Sequence, residues 1–118
     1  MKKELPLWDN TPFPEIIRSL PEIDIPVEGI RGWLLQGKSQ QLVFFDLQPI
    51  AKVPPHSHGE QWGVVVSGKM ELTIVGQTRI YEPGEYYHIP AQTPHSAKFL
   101  TRCGVIDYFA DRDRYKVK

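Results

Sequence analysis

A chain of 118 residues with 41% hydrophobic content is sized for one globular domain with a modest core. Its 14 basic residues balance 14 acidic ones, so the long-range field that gathers DNA, RNA or an anionic bilayer is missing and nucleic acid is not an expected partner. One cysteine, Cys103, excludes an internal disulfide and a cysteine-cluster metal site, and reads as a small buried apolar side chain in a reducing compartment.

The N-terminus, MKKELPLWDNTPFPEI, carries two lysines, but Glu4, Pro6, Asp9 and Asn10 break it before an apolar stretch reaches signal-peptide length. No later run approaches the roughly twenty apolar residues of a membrane span, so the expectation is a cytoplasmic protein with no membrane partner. Thr11-Pro12 to Leu20 reads as one or two helical turns, with Thr11 as cap, proline in the first turn and Pro21 as the stop. Eleven prolines and nine glycines then cut the chain into short pieces rich in Val, Ile, Phe, Tyr and Thr, the pattern of many strands. Strands are expected near 29–36, 41–47, 50–54, 61–67, 69–75, 78–81, 85–89, 95–100 and 103–109. Ser67-Gly68, Val75-Gly76-Gln77 and Glu82-Pro83-Gly84 read as tight turns between them. Such even spacing favours an all-β closed barrel or sandwich, one domain over 1–118. Its core is 36–110, and an irregular Pro-rich segment, 1–35, wraps the barrel or a partner. A small barrel with an uncovered edge is prone to pair, so a homodimer is expected. The tail, ADRDRYKVK, alternates charges and reads as a solvated end.

The chemistry gathers around histidines. His56 and His58, in PPHSHGEQWGVVVSG, lie two positions apart, and on an extended segment such imidazoles point the same way and can close on one metal ion. His95 follows thirty-seven residues after His58, where Pro90 and Pro94 bracket a loop that delivers it to a strand start. The three meet only if the intervening strands fold back. Neutral imidazoles suit Zn, Fe, Ni, Mn or Co, and a divalent ion held by three of them still needs oxygen ligands. The nearest are Glu60 and Gln61: strand parity continues 56, 58, 60, whereas Gln61 joins the set only if Gly59 bends the chain. His88, one residue before Ile89-Pro90, is outside the ligand spacing and reads first as a packed or hydrogen-bonded barrel residue. In RCGVIDYFADR, Val105, Asp107 and Phe109 share one face while Ile106 and Tyr108 share the other. If the first face is inward, Asp107 is a general base or the partner of a ligand histidine, and Arg112 or Arg114 clamps a carboxylate; if it is outward, Asp107 is a solvated acid. Tyr86, Tyr87 and Tyr108 read as core or interface residues.

These residues resemble the cupin superfamily, whose two motifs fall over positions 53–99. The first is similar to His56, His58, Gln61 and Gly68, with six residues between the last two; the second is similar to Gly84, Pro90 and His95. The chain departs from the pattern in four places. Two residues separate His58 from Gln61, an amide replaces the ligand acid, Gln92 stands for a glycine and Phe99 for a common asparagine. The resemblance implies a double-stranded β-helix, the jelly-roll barrel, with a divalent metal ion held by His56, His58, Gln61 and His95. An all-neutral ligand set leaves the ion's charge uncompensated, which favours a small anionic substrate. With Gln61, the run Asp107, Phe109 and Arg112 resembles the small cupins that open unsaturated monouronates in pectin and alginate breakdown, although the spacing from Asp107 to the arginine differs. That closer resemblance implies proton transfer by Asp107 and His88 and carboxylate binding by Arg112. The expected function is a metal-dependent enzyme acting on a small, oxygen-rich anion such as a sugar acid by lyase, isomerase or tautomerase chemistry. The alternatives are a metal-dependent dioxygenase and a non-catalytic ligand-binding or sensory cupin.

Overall fold

The computed structural model describes residues 11–118; what was expected of residues 1–10, including the broken leader, lies outside them. Among the described residues one short helix, α1 (Glu15–Arg18), precedes nine strands: β1 (Ile30–Gln36), β2 (Gln41–Leu47), β3 (Lys52–His56), β4 (Gln61–Ser67), β5 (Met70–Ile74), β6 (Gln77–Tyr81), β7 (Tyr86–Ile89), β8 (His95–Phe99) and β9 (Cys103–Phe109). They form two antiparallel sheets, of order β1-β2-β9-β4-β7 and β3-β8-β5-β6. Each sheet draws its strands from both halves of the chain, which is the winding of a jelly-roll double-stranded β-helix. Among the described residues no helix is long and apolar enough to cross a membrane.

Period-two alternation decides which side chains enter the barrel. On β9 Cys103, Val105, Asp107 and Phe109 are buried while Tyr108 is exposed; on β4 Gln61, Gly63 and Val65 face in while Trp62 and Val66 face out. The inner faces meet through Val43, Phe45, Val65 and Val105 of the larger sheet and Met70, Leu72 and Phe99 of the smaller. Leu35, Trp62, Tyr86 and Tyr108 stand exposed on the outside of the larger sheet. One buried charge is structural: the Arg102 guanidinium holds the fully buried Asp46 carboxylate with two charge-assisted bonds, Nε to Oδ1 at 2.9 Å and a terminal nitrogen to Oδ2 at 2.6 Å.

Three local expectations change. The helix begins at Glu15 with Pro14 at its N-cap and no side-chain cap, not with Thr11. Phe13 precedes Pro14, which steers it away from helical dihedrals, and its ring is buried edge-on to Trp33 and Phe44. Strand β3 runs to His56 through Pro54 and Pro55, two residues beyond the expected end. Prolines are tolerated there because β3 is at a sheet edge and its register with β8 shifts between Val53 and His56. The tail is not a solvated end. Tyr115 packs edge-on to Phe45 and Phe109, Gln41 exchanges two 2.9 Å hydrogen bonds with the Tyr115 backbone, and Val117 bridges Ile23. The buried Gln41 amide also donates to Gln36 Oε1 at 2.8 Å, and with its oxygen accepting from Tyr115 both its ends are satisfied while it clamps the passing chain.

The β5–β6 hairpin closes through Val75-Gly76, both at positive φ, 48° and 76°. That pair of dihedrals belongs to a type I′ turn; glycine enters it freely, but a β-branched valine is strained there. Replacing the exposed Val75 by Asn is expected to stabilise the protein by about 1 kcal/mol. Chemical denaturation checks this, and an unchanged midpoint would deny the strain.

Candidate metal centre

His56 closes β3 and His95 opens β8, and the two are directly paired across the ladder. Their ring centroids are 4.2 Å apart; His58, two residues further on, brings its ring to 5.2 Å from His56 and 4.8 Å from His95. The potential ligand atoms all lie within 4.8 Å of one another. Each Nδ1 sits against a backbone carbonyl: His56 on Pro54 at 2.9 Å, His58 on Gly59 at 2.8 Å, His95 on Thr93 at 2.8 Å. A carbonyl can only accept, so each Nδ1 carries the proton and each Nε2 keeps a lone pair. Burial lowers the pKa of both His58 and His95 from the ordinary histidine value, which keeps them neutral and able to ligate.

The loop carrying His58 is fixed from three sides. Asp111 Oδ2 accepts the Gly59 N–H at 2.9 Å, the Gln92 N–H donates to the His58 carbonyl at 2.7 Å, and the Ala110 N–H donates to the Glu60 carbonyl at 2.9 Å. The chain therefore turns between 56 and 61 instead of continuing as a strand, and parity no longer carries across it. Gln61 is buried among the cavity-lining residues, whereas Glu60 points to solvent and pairs with His88 at 2.6 Å. Two buried polar atoms at this place lack any protein partner, His58 Nε2 and Gln61 Oε1. Both are lone-pair donors, and a divalent cation would satisfy both at once, so the residues present fit such an ion.

Asp107 faces inward beside them, 6% exposed. The Tyr87 hydroxyl donates to its Oδ1 at 2.5 Å, and the Gln61 amide lies close enough to favour its ionised form. Tyr87 on β7 and Asp107 on β9 are both paired with Gly63 of the intervening β4. A Cβ at Gly63 would overlap the Asp107 carboxylate and the Tyr87 hydroxyl, so the bare glycine lets the phenol reach across a strand. Burial pushes the Asp107 carboxyl up to about 6 against the pull of the Tyr87 hydrogen bond and the Gln61 amide, and burial beside Asp107 holds the Tyr87 phenol far above its usual value. Tyr87 thus stays a donor at every physiological pH.

Two sequence-expected residues are not brought to the cavity. His88 alternates outward on β7, between the inward Tyr87 and Ile89, and is half exposed. Arg112 is exposed, and its backbone carbonyl accepts from Gln36. The neighbouring basic side chain, Arg114, lines the cavity instead; its Nε is buried without a partner and its guanidinium lies 4.5 Å from the Tyr115 ring centre. Tyr115 holds this place because Gln41 clamps its backbone, a contact between residues far apart in the chain that spacing could not reveal. Asp111 and Tyr87 likewise carried no sequence signal beyond their strand or tail position.

A family model described as a cupin domain matches residues 43–103, and the chain belongs to that family. Among solved structures, KdgF from a Halomonas species is 28% identical, with a TM-score of 0.68 over 74% of this chain and 84% of its own. An RmlC-like cupin from Shewanella frigidimarina is 20% identical with a TM-score of 0.71, covering 96% of this chain and 94% of its own. A single-substitution variant of Bacillus subtilis oxalate decarboxylase is 20% identical with a TM-score of 0.68; the match takes 82% of this chain but 29% of that longer one. No curated protein matches the chain.

Replacing both His56 and His95 by Ala is expected to abolish stoichiometric metal binding with the fold retained, read by elemental analysis beside far-ultraviolet circular dichroism. Full metal content in that variant would remove the centre. A second expectation concerns pH. Because the folded-state pKa of Asp107 lies above its ordinary 3.8, the native state is favoured by a proton below that value and loses this advantage as pH rises through about 6. The shift corresponds to about 3 kcal/mol. In chelator-treated protein Asp107→Asn should therefore raise the melting temperature near neutral and alkaline pH and have little effect at about pH 4; an equal effect at both would contradict the buried charge.

Proposed function

We propose that this cupin is a metal-dependent enzyme that moves a proton on a small, oxygen-rich anion such as a sugar acid, in a lyase, isomerase or tautomerase reaction. The observation that carries the reading is the buried carboxyl of Asp107, bonded by Tyr87 and lining one cavity with the His56, His58 and His95 cluster. His56, His58, His95 and Gln61 would hold the divalent ion, which when bound supplies Lewis acidity to a substrate oxygen without a ligand carboxylate to offset its charge.

The chain's own residues do the rest. Asp107, with a pKa of about 6, is largely ionised near neutral pH yet basic enough to accept a proton from a carbon next to a carbonyl and to return it at a neighbouring atom. Tyr87 orients that carboxylate by its hydrogen bond and, staying protonated, does not compete for the substrate proton. Arg114, which lines the same cavity and acts electrostatically on His58 and His95, would hold the substrate carboxylate. The likeness to KdgF, and the resemblance of Gln61, Asp107 and Phe109 to the uronate ring-opening cupins, support a sugar acid as the substrate. His88 and Arg112, turned to solvent, take no part in this reading.

The test is turnover of a panel of unsaturated uronates and 2-oxo acids by metal-loaded protein, with solvent deuterium incorporation followed by NMR and oxygen uptake measured in parallel. Asp107→Asn should lower kcat by about a hundredfold or more with KM little changed, and Arg114→Ala should act mainly on KM. Oxygen consumption matching turnover would replace this reading by a dioxygenase.

A further inference from the structure

The cavity, of about 220 Å³, carries its buried polar lining at one end; Lys52, exposed at the start of β3, is the exception to that division. The strand registers set this division. Around the ligand level His56 faces His95, and Gln61 lies in the same sheet row as Phe109. Further along the same strands, Val53 and Leu72 both face Ala97, Met70 faces Phe99, and Phe45 faces Val105. All of these line the cavity, and none carries a side-chain donor or acceptor. The nearest buried polar groups toward that end, Asp107 and Tyr87, are bonded to each other. Ile25 and Val27, only partly buried, line the cavity as well and add to its apolar surface.

We propose that the preferred ligand is an amphipathic acid: a carboxylate with an adjacent carbonyl or hydroxyl oxygen, carried on a compact branched-aliphatic or aromatic body that lies against Val53, Leu72, Met70 and Phe99. The proposal rests on the metal-and-anion reading above for its polar head, and departs from the sugar-acid example given there by replacing its polyhydroxylated body with an apolar one. Each methylene placed on this surface raises affinity by about fourfold. Each hydroxyl turned toward it loses its water without gaining a partner and lowers affinity by roughly tenfold. A polyhydroxylated body is therefore disfavoured against a hydrocarbon body of the same size and charge.

Calorimetric titration of Zn²⁺-loaded protein with pyruvate, 4-methyl-2-oxopentanoate, phenylpyruvate, gluconate and galacturonate tests this directly. Affinity should rise at least tenfold from pyruvate to the two acids with apolar bodies, with a negative heat-capacity change, and both sugar acids should bind more weakly than those two. Val53→Thr, close in shape, should shrink the gain while leaving pyruvate binding unchanged. Pyruvate binding without any gain along the series, or tighter binding of gluconate or galacturonate, overturns the apolar-body inference and leaves the anionic head standing. Failure of all five acids to bind overturns the head reading and the inference together.

Discussion

The antiparallel pairing of β3 with β8 sets His56 against His95, and three carbonyls of the local backbone then choose the tautomer of every ring in the cluster. Without those Nδ1 bonds each imidazole could turn or exchange its proton, and the lone pairs would not share one region of space. Backbone carbonyls are dependable partners here because Pro54, Gly59 and Thr93 are held by the same loops that carry the histidines. The tie from Asp111 to Gly59 and the tie from Gln92 to His58 extend that control to the loop with the least regular structure.

A second constraint links the histidine cluster to the buried Asp107 carboxyl. Tyr87 bonds Asp107 across Gly63, two residues along β4 from Gln61, so one carboxyl sits between a candidate ligand and a phenol on β7. The arrangement is costly to the fold at neutral pH, since it holds an acid in an apolar barrel with its pKa near 6. Buried carboxyls kept at this cost are a feature of sites where stability is given up for function. The polarity of the interior follows the same division. Among the buried residues that line the cavity, the polar ones collect toward the strand ends that carry the histidines, and Val53, Leu72, Met70, Phe99 and Val105 form the apolar wall beyond them.

The strands were legible because alternation, proline and glycine mark them locally. All nine expected strands are present, and most ends agree within a residue; β3 differs because an edge strand accepts two prolines that would end an interior one. The helix start at Thr11 was misread because Phe13 is held extended by Trp33 and Phe44, partners supplied by other elements. Parity favoured Glu60 as a ligand only on the assumption that the chain runs straight from His56, whereas the loop bends at Gly59 and turns Glu60 out to His88. The family motif had pointed to Gln61, and it is Gln61 that lies buried in the cavity. For the basic residue, charge alternation in the tail could not say which arginine faces in; Gln41 decides it by gripping Tyr115, leaving Arg112 outside and Arg114 within.

The sequence by itself determined an all-β barrel, the spacing of His56, His58 and His95, and an amide rather than an acid at position 61. Those properties rest on side-chain periodicity and on the chemistry of residue types, which are written locally. Only the tertiary structure decided that Asp107 faces inward, that Tyr87 reaches it over a bare Gly63, and that Arg114 rather than Arg112 borders the cavity. Each of those outcomes depends on which strands become neighbours and in what register, and register is a property of the closed barrel as a whole.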